Sequence, residues 1–236
     1  MAKKTSKRKT LNILDKNKKH SQFDYTEIFR HIRTNIEFST VDKDIKSICI
    51  TSSQAGEAKT TLSINLAYIF ATKYNRVLLI DCDLRKNTLH KYMGLSNKHG
   101  LTDALLEYRQ TKKLNVEYFQ SVKDPSFAGT MAVLTSGIHI PNPSELLGSH
   151  VFKDYINELK KSFDFIIIDC APVGMISAAI PIGNAVDGTI FAISSQDTNK
   201  KDAANCVKLL QRNNVNVLGS VLTKAKSLSG SHYYYY

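Results

Sequence analysis

The fold is decided by the stretch ICITSSQAGEAKTTLSINLAYIF, residues 48–70. It contains a short apolar run, a loop rich in serine and glycine, and a segment with helical spacing of apolar residues. A loop in this context can bind phosphate, because backbone N–H groups at a helix start face the anion and the helix dipole favours negative charge. Lys59 can reach the β- and γ-phosphates of a nucleotide, and Thr60 can offer its hydroxyl to Mg²⁺. The plainer alternative is a loop that only joins a strand to a helix.

The loop departs from the phosphate-loop pattern GxxxxGK[ST] at both glycines, whose positions hold Ser53 and Ala58. Gly56 lies inside the loop instead. If position 58 requires a positive φ, alanine there costs about 1 kcal/mol or more. The residues that we expect around the phosphates are Ser53, Gly56, Glu57, Ala58, Lys59, Thr60 and Thr61.

Short apolar runs alternate with helix-like segments along the rest of the chain. The runs are rich in β-branched residues, as in strands covered on both faces of a parallel sheet, and they are residues 45–51, 77–80, 165–168, 189–193 and 215–222. Helices are predicted over residues 22–39, 60–73, 142–161, 174–185 and 198–212. This alternation predicts a single α/β domain with a doubly wound, mostly parallel sheet flanked by helices, as in P-loop NTPases.

Three carboxylates follow apolar runs and are predicted at the same edge of the sheet. Asp81 and Asp83 are two residues apart in VLLIDCD, so an extended chain points both to one side, and Asp169 ends FIIID. Ligands of open α/β sheets bind at the carboxyl ends of strands, where such groups can hold Mg²⁺ or take a proton from an attacking hydroxyl. The alternative is that each Asp only caps the next turn. Arg85 lies just beyond and can meet a phosphate or pair with a carboxylate.

The 236-residue chain is basic, with 32 Lys and Arg against 21 Asp and Glu and a formal net charge of +11. Residues 1–20 carry +7 of that charge, so most of the excess lies in a short head. The head is either a solvated tail or a segment that touches acidic surfaces. We expect no nucleic-acid partner, because the sequence has no recognised binding module. We also expect no secretory signal or membrane span, since no apolar run approaches about 18–20 residues.

The four cysteines are not paired in CxxC motifs, and three of them lie in or beside apolar runs; they are Cys49, Cys82, Cys170 and Cys206. Buried cysteine behaves as a small hydrophobe, and a zinc site needs clustered ligands. The pattern favours a reduced, cytoplasmic compartment.

These motifs together resemble those of the bacterial tyrosine kinases of capsule and exopolysaccharide synthesis, in particular the separate cytoplasmic kinase polypeptide of Gram-positive bacteria. The resemblance extends from about residue 24 to the C-terminus. TSSQAGEAKTT resembles the Walker A motif of the family, VLLIDCDLRK its Walker A′ motif and FIIIDCAP its Walker B motif. Two further segments, LTSGIHIPNPSELLGS and VLGSVLTKAK, also resemble the family, and the spacing of all five makes the resemblance specific.

The resemblance implies autophosphorylation on tyrosine with ATP and Mg²⁺, without the eukaryotic kinase fold. It implies that Lys59 binds phosphates and that the metal ligands are Thr60, Asp81, Asp83 and Asp169. Asp81 and Asp83 would supply the catalytic base, and the sequence leaves open which of them does so. Thr223 stands where the family commonly has an asparagine near the adenine, so we count it with Arg85 among the nucleotide-binding residues.

Both ends of the chain acquire a role from the resemblance. The implied phosphoacceptors are the four terminal residues Tyr233, Tyr234, Tyr235 and Tyr236, which are otherwise a sticky or packing segment. Four phosphates would add about −6 to −8 of charge. Glu27, Arg30 and Arg33 are spaced three apart on the first predicted helix, where the family has an ExxRxxR motif that joins subunits into a ring. Without the resemblance they would be a solvated charged face.

We therefore expect a basic disordered head over residues 1–21, a P-loop kinase domain with an N-terminal interface helix over residues 22–226, and a flexible tyrosine-cluster tail over residues 227–236. The kinase is expected to form a homo-oligomeric ring, to phosphorylate its tail in trans, and to be held at the inner face of the cell membrane by an activating adaptor of the polysaccharide co-polymerase type. Two alternatives stay open: a P-loop ATPase that positions chromosomes or septa, and a nucleotide-binding scaffold with little catalysis.

Overall fold

The structure is a computed structural model that describes residues 25–39, 44–174 and 178–225. In these ranges the helices are α1 Tyr25–Phe38, α2 Lys59–Ala71, α3 Leu89–Met93, α4 Leu101–Thr111, α5 Pro143–Leu147, α6 His150–Ser162, α7 Ala179–Ala185 and α8 Lys200–Arg212, with a 3₁₀ turn at Val116–Tyr118. The strands are β1 Ser47–Ser52, β2 Arg76–Asp81, β3 Gln120–Val122, β4 Thr130–Leu134, β5 Phe165–Asp169, β6 Gly188–Ser194 and β7 Val217–Thr223.

These strands form one sheet in the order β3-β4-β2-β5-β1-β6-β7. Every neighbouring pair is parallel except β3 with β4, which is antiparallel. Helices cover both faces, with α1 and α2 packed on one and α4, α6 and α7 on the other. The predicted fold class, a mostly parallel α/β sheet of the P-loop type, is confirmed.

The central strands are buried because both of their faces meet helices. All residues of β1 and β5 are buried, and β2 exposes only its first residue. On the α2 face, the rings of Phe70 and Phe165 stack with their centroids 3.9 Å apart. In the described ranges, none of the helices is both long enough and apolar enough to cross a membrane.

Several elements differ from the sequence prediction. The helix expected over residues 142–161 is two helices, because the chain breaks at Gly148 and the Ser149 hydroxyl then accepts a hydrogen bond from the Phe152 amide, which caps α6. Helix α7 begins at Ala179 rather than at residue 174, and residues 175–177 lie outside the described ranges. Strands β3 and β4 and helices α3 and α4 were not predicted.

Candidate functional site

Three neighbouring strands end at one edge of the sheet and bring predicted site residues together. Strand β1 runs into the phosphate loop, residues 53–58, and β5 lies between β1 and β2. Asp81, at the end of β2, pairs in register with Asp169, at the end of β5. After β5 the chain passes close to the phosphate loop, so that a Cβ on Gly174 would lie 2.3 Å from the carbonyl oxygen of Ser53. The loop is therefore enclosed on this side by the segment that follows β5.

The phosphate loop has two residues in the left-handed region, Gly56 with φ 87° and Ala58 with φ 61°. Glycine adopts this conformation freely, whereas an alanine in it costs about 1–2 kcal/mol. Helix α2 starts immediately afterwards, and the Leu62 amide donates to the Ala58 carbonyl at 2.9 Å. Lys59 is buried in the first turn of α2, and Thr61 is half-buried beside it. Position 58 therefore does require a positive φ, as the glycine of the usual pattern would suggest.

The Thr60 hydroxyl donates to Asp169 Oδ2 at 2.6 Å, and the Ser63 hydroxyl donates to Asp169 Oδ1 at 3.1 Å. Burial raises the pKa of Asp169 to about 6, although hydrogen bonds from these two hydroxyls and the nearby Lys59 ammonium favour its charged form. Ser63 was not predicted from the sequence. Its position one helical turn after Lys59, on the side of α2 that faces β5, is the signal that could have found it.

Asp81 is completely buried at the end of β2. Its Oδ1 accepts a hydrogen bond from the Asp83 amide at 3.1 Å, and the Leu89 amide lies near enough to favour the charged form, but Oδ2 has no partner at hydrogen-bond distance and angle within the described residues. Burial, and then the neighbouring Asp169 carboxylate, raise the pKa of Asp81 well above its ordinary value. A buried carboxylate oxygen without a donor is costly, and a cation would satisfy it.

The donor set fits a magnesium ion that is also held by phosphate oxygens. In the part of the chain that the structure describes, no three His, Cys, Asp or Glu side chains come together as a ready-made metal site. Mg²⁺ in nucleotide sites is typically held by one or two carboxylates together with substrate phosphates and water. Thr60, Asp169 and Asp81 match that requirement, whereas a cage made by protein side chains alone would not form here.

Asp83 and Arg85 lie further out, at the rim of this edge. Asp83 is half-exposed, and its Oδ1 accepts a hydrogen bond from the Lys86 amide at 3.0 Å. It therefore caps the turn after β2, as the plainer alternative held, and its other oxygen is left for a further partner. Arg85 is exposed on the same turn.

Glu57 connects the phosphate loop to distant parts of the chain. Its buried carboxylate accepts hydrogen bonds from the hydroxyls of Ser53 and Thr198, and its carbonyl oxygen accepts one from the Thr223 hydroxyl at 2.9 Å. Burial opposes the charge of Glu57, but the Gln54 amide and these hydroxyls together lower its pKa. Ser53 and Thr223 were both predicted to contact the nucleotide. In this structure their hydroxyls donate to Glu57 instead and so stabilise the conformation of the loop. Thr198 was not predicted.

The three predicted interface residues of α1 divide into two groups. Glu27 and Arg30 are exposed and pair with each other. The side chain of Arg33 is only 15% exposed and turns onto α2, where its Nη1 donates to the Ile69 carbonyl at 2.8 Å. Its Nε also lies 3.8 Å from Glu37 Oε1. The face of α1 that remains open to a partner therefore carries Glu27 and Arg30.

Two predicted elements lie outside the described residues. They are the basic head, residues 1–21, and the four tyrosines of the tail, Tyr233–Tyr236. Their predicted roles stay predictions.

Comparison with known proteins identifies the family of the chain. A family model described as an AAA domain matches residues 45–218. The tyrosine-protein kinase YwqD of Bacillus subtilis is 41% identical, over 89% of this chain and 86% of its own length. The tyrosine-protein kinase CpsD of Streptococcus pneumoniae is 34% identical, over 84% of this chain and 83% of its own length. The chain belongs to the family of bacterial tyrosine-protein kinases.

Solved structures of similar fold include a chimerical protein and a septum site-determining protein. The chimerical protein CapA2B2 has a TM-score of 0.78 and 31% identity, over 90% of the kinase and 88% of that chain. The septum site-determining protein MinD of Pyrococcus horikoshii, solved with Mg-ADP, has a TM-score of 0.59 and 22% identity, over 75% of the kinase and 69% of that chain. The likeness to MinD extends to the fold alone.

Proposed function

We propose that this kinase binds ATP with Mg²⁺ at the phosphate loop and transfers the γ-phosphoryl group to tyrosine hydroxyls. The observation that carries the proposal is the contact of Thr60 with Asp169 at 2.6 Å, beside the buried and unpartnered oxygen of Asp81. A phosphate-loop hydroxyl next to a strand-end carboxylate is the arrangement that holds Mg²⁺ in P-loop nucleotide sites. The fold is shared with MinD, whose structure was solved with Mg-ADP.

The position of each predicted site residue indicates which part of the magnesium nucleotide it would contact. Lys59, at the helix start, binds the β- and γ-phosphates, and Arg85 at the rim can meet a phosphate. Thr60, Asp81 and Asp169 would hold Mg²⁺, which neutralises charge on the phosphate oxygens when bound.

Asp83 is the better candidate for the base, because it is half-exposed where an incoming tyrosine can reach it, while Asp81 is buried. The tyrosine oxygen forms a bond to the γ-phosphorus, the bond from that phosphorus to ADP breaks, and the phenol proton passes to Asp83.

The acceptors in this proposal are Tyr233–Tyr236 of a neighbouring copy. Glu27 and Arg30, exposed on α1, are available to join copies into a ring. The resemblance to capsule and exopolysaccharide kinases supports a role in regulating polysaccharide synthesis and export. It also supports activation by a membrane adaptor of the co-polymerase type, which would keep the kinase at the inner face of the membrane.

The test uses the purified full chain with ATP and Mg²⁺, with and without the cytoplasmic segment of the adaptor. Phosphotyrosine is detected with an antibody, and its position is found by mass spectrometry. We expect phosphate on the tail and its loss in Lys59→Met, whereas Lys113→Met, at an exposed lysine, should keep it. Transfer in trans is tested by mixing Lys59→Met with an active chain whose four tail tyrosines are phenylalanine. Phosphate should then appear on the Lys59→Met chain.

Two results would contradict the proposal. No phosphotyrosine under any condition, with the adaptor present, would overturn the kinase activity and favour the scaffold alternative. A signal that persists in the Lys59→Met chain alone would overturn the assignment of the site.

A further inference from the structure

The phosphate loop is tied to the turn between β6 and α8, residues 195–199, by a charged group that solvent cannot reach. Glu57 has no exposed surface, yet the hydrogen bonds that it accepts lower its pKa, so that it is ionised at neutral pH. Its carboxylate accepts hydrogen bonds from the Ser53 hydroxyl at 2.9 and 3.1 Å and from the Gln54 amide at 2.9 Å. The Thr198 hydroxyl, 141 residues further along the chain, supplies a further hydrogen bond.

The direction of the Thr198 contact is fixed by a second hydrogen bond. The Thr198 oxygen accepts from the Ser194 amide at 2.8 Å, at the end of β6. Its single proton is therefore left for the carboxylate of Glu57, which can only accept. Beside this contact, the Gln54 side-chain amide donates to the Asp197 carbonyl at 2.9 Å. The loop is thus attached at two points to a turn that the sheet itself holds in place.

This attachment is next to the strained residue of the loop. Ala58 directly follows Glu57 and has φ 61°, where glycine would be unstrained. A strained backbone persists only when its surroundings fix it. If the attachment were lost, Ala58 would relax to a negative φ, and the loop amides would turn away from the phosphate position.

We propose that Glu57 and Thr198 are a positioning pair that holds the phosphate loop in its nucleotide-binding conformation, in place of the glycine absent at position 58. The inference rests on the proposed function only in taking the loop as the nucleotide site. Neither side chain needs to touch the nucleotide. Their effect is on the fraction of molecules whose loop is competent, and the apparent dissociation constant rises as that fraction falls.

The test compares Thr198→Val and Thr198→Ser, each with alanine and with glycine at position 58. Valine keeps the shape of threonine and removes its hydroxyl, whereas serine keeps the hydroxyl. A fluorescent ATP analogue is titrated with Mg²⁺ onto the full chain, and KM for ATP and kcat are measured. With Ala58, Thr198→Val should weaken binding and raise KM about five- to tenfold, with little change in kcat. Thr198→Ser should stay within about twofold.

Glycine at position 58 should suppress the defect, because the loop no longer carries the strain that the pair opposes. In the Ala58→Gly background, Thr198→Val should bind the analogue within about twofold of its parent. If Thr198→Val weakened binding only by destabilising the fold in general, glycine at position 58 would not restore the affinity. The matched control is Thr111→Val at the exposed end of α4, where the threonine hydroxyl also makes backbone hydrogen bonds. It should bind ATP as the unmodified chain does.

Unchanged affinity in Thr198→Val would overturn the inference, and so would an equal loss in the alanine and glycine backgrounds. If Thr198→Val does not fold, Glu57→Gln in the same two backgrounds gives the same comparison, and a loss that glycine does not suppress would again overturn it. A chain that binds the analogue as expected but forms no phosphotyrosine would contradict the proposed kinase reaction and leave the positioning pair standing.

Discussion

Replacing Arg33 with methionine should loosen α1 from α2, whereas the same change at Arg30 should leave the stability of the fold nearly unchanged. The Arg33 side chain is 15% exposed and donates to the Ile69 carbonyl at 2.8 Å in the last turn of α2, where the Thr72 hydroxyl also donates to that carbonyl at 2.8 Å. The side chain of Arg30 is 47% exposed and, within the described residues, forms its ion pair with Glu27, which is 53% exposed. The two arginines of one motif therefore differ in their contacts: Arg33 joins α1 to α2, whereas Arg30 pairs with a residue of α1 itself.

The expected size of the effect follows from these contacts. A hydrogen bond from a charged donor contributes about 1.5–3 kcal/mol, and methionine keeps the apolar stem of Arg33. Glu37 would lose one neighbour but keep its bonds to Lys73, at 2.8 Å, and to the Tyr74 hydroxyl, at 3.0 Å. We expect Arg33→Met to lower the free energy of unfolding by about 2 kcal/mol, and Arg30→Met by less than about 1 kcal/mol, as for exposed pairs in general.

The assay is urea unfolding of the full chain, followed by far-ultraviolet circular dichroism. It is run at two protein concentrations, because assembly stabilises the folded state in a concentration-dependent way. In a thermal scan, the loss for Arg33→Met corresponds to about 4–8 °C. Equal midpoints for the two variants would refute the reasoning, and so would a difference that disappears on dilution to the monomer. If the prediction holds, a variant that replaces Glu27, Arg30 and Arg33 together changes folding and assembly at once, and Arg30 alone is the cleaner probe of a ring.

Three further predictions concern single residues. Ala58→Gly should raise the free energy of unfolding by about 0.5–1 kcal/mol, because it relieves a positive φ; an unchanged or lower value in urea would contradict the strain. Tyr155→Phe should stabilise by about 1 kcal/mol, since its buried hydroxyl has no partner in the described residues; a loss in the same assay would show that it has one. Asp169 has a folded pKa of about 6 against an ordinary 3.8, so the folded state binds the proton of this carboxyl more tightly than the unfolded state does. Its protonated form therefore stabilises the fold near pH 4, and this contribution is lost as the pH rises through 6. In EDTA, the unmodified chain should lose up to about 3 kcal/mol relative to Asp169→Asn between pH 4 and 7, and parallel pH curves would contradict this.

The elements that the sequence predicts well are those whose environment leaves only one pattern possible. Strands β1, β2, β5 and β6 lie inside the sheet, so each is a continuous apolar run, and their predicted bounds are within two residues of those observed. β3 has three residues and pairs only with β4 at the sheet edge, so no period can be recognised in it. β4 also lies inside the sheet and contains an apolar run of four residues, 131–134, so its signal was present in the sequence and was missed because the run is short.

The same distinction applies to the site. Lys59, Thr60 and Asp169 can be predicted because motif spacing ties each to a strand end or a helix start. Thr198 cannot, because it reaches the loop only after the chain has built β6 and turned back beside Glu57. Departures from a motif therefore have to be judged together with such distant partners. In the sequence, Ala58 is a departure from the glycine of the motif. In the structure, its neighbour Glu57 is fixed by hydrogen bonds from several residues.

The edge of the sheet also carries a cost that a bound cation would relieve. Asp81 and Asp169 end neighbouring strands in register, both are buried, and burial raises the pKa of each. Lys59 and two hydroxyls compensate Asp169, but one oxygen of Asp81 has no partner in the described residues. Apolar residues at these two positions would make a more stable sheet, because a buried group without its hydrogen bond costs about 1–3 kcal/mol. A cation with bound phosphates would remove that penalty, which is what the proposed magnesium nucleotide site requires.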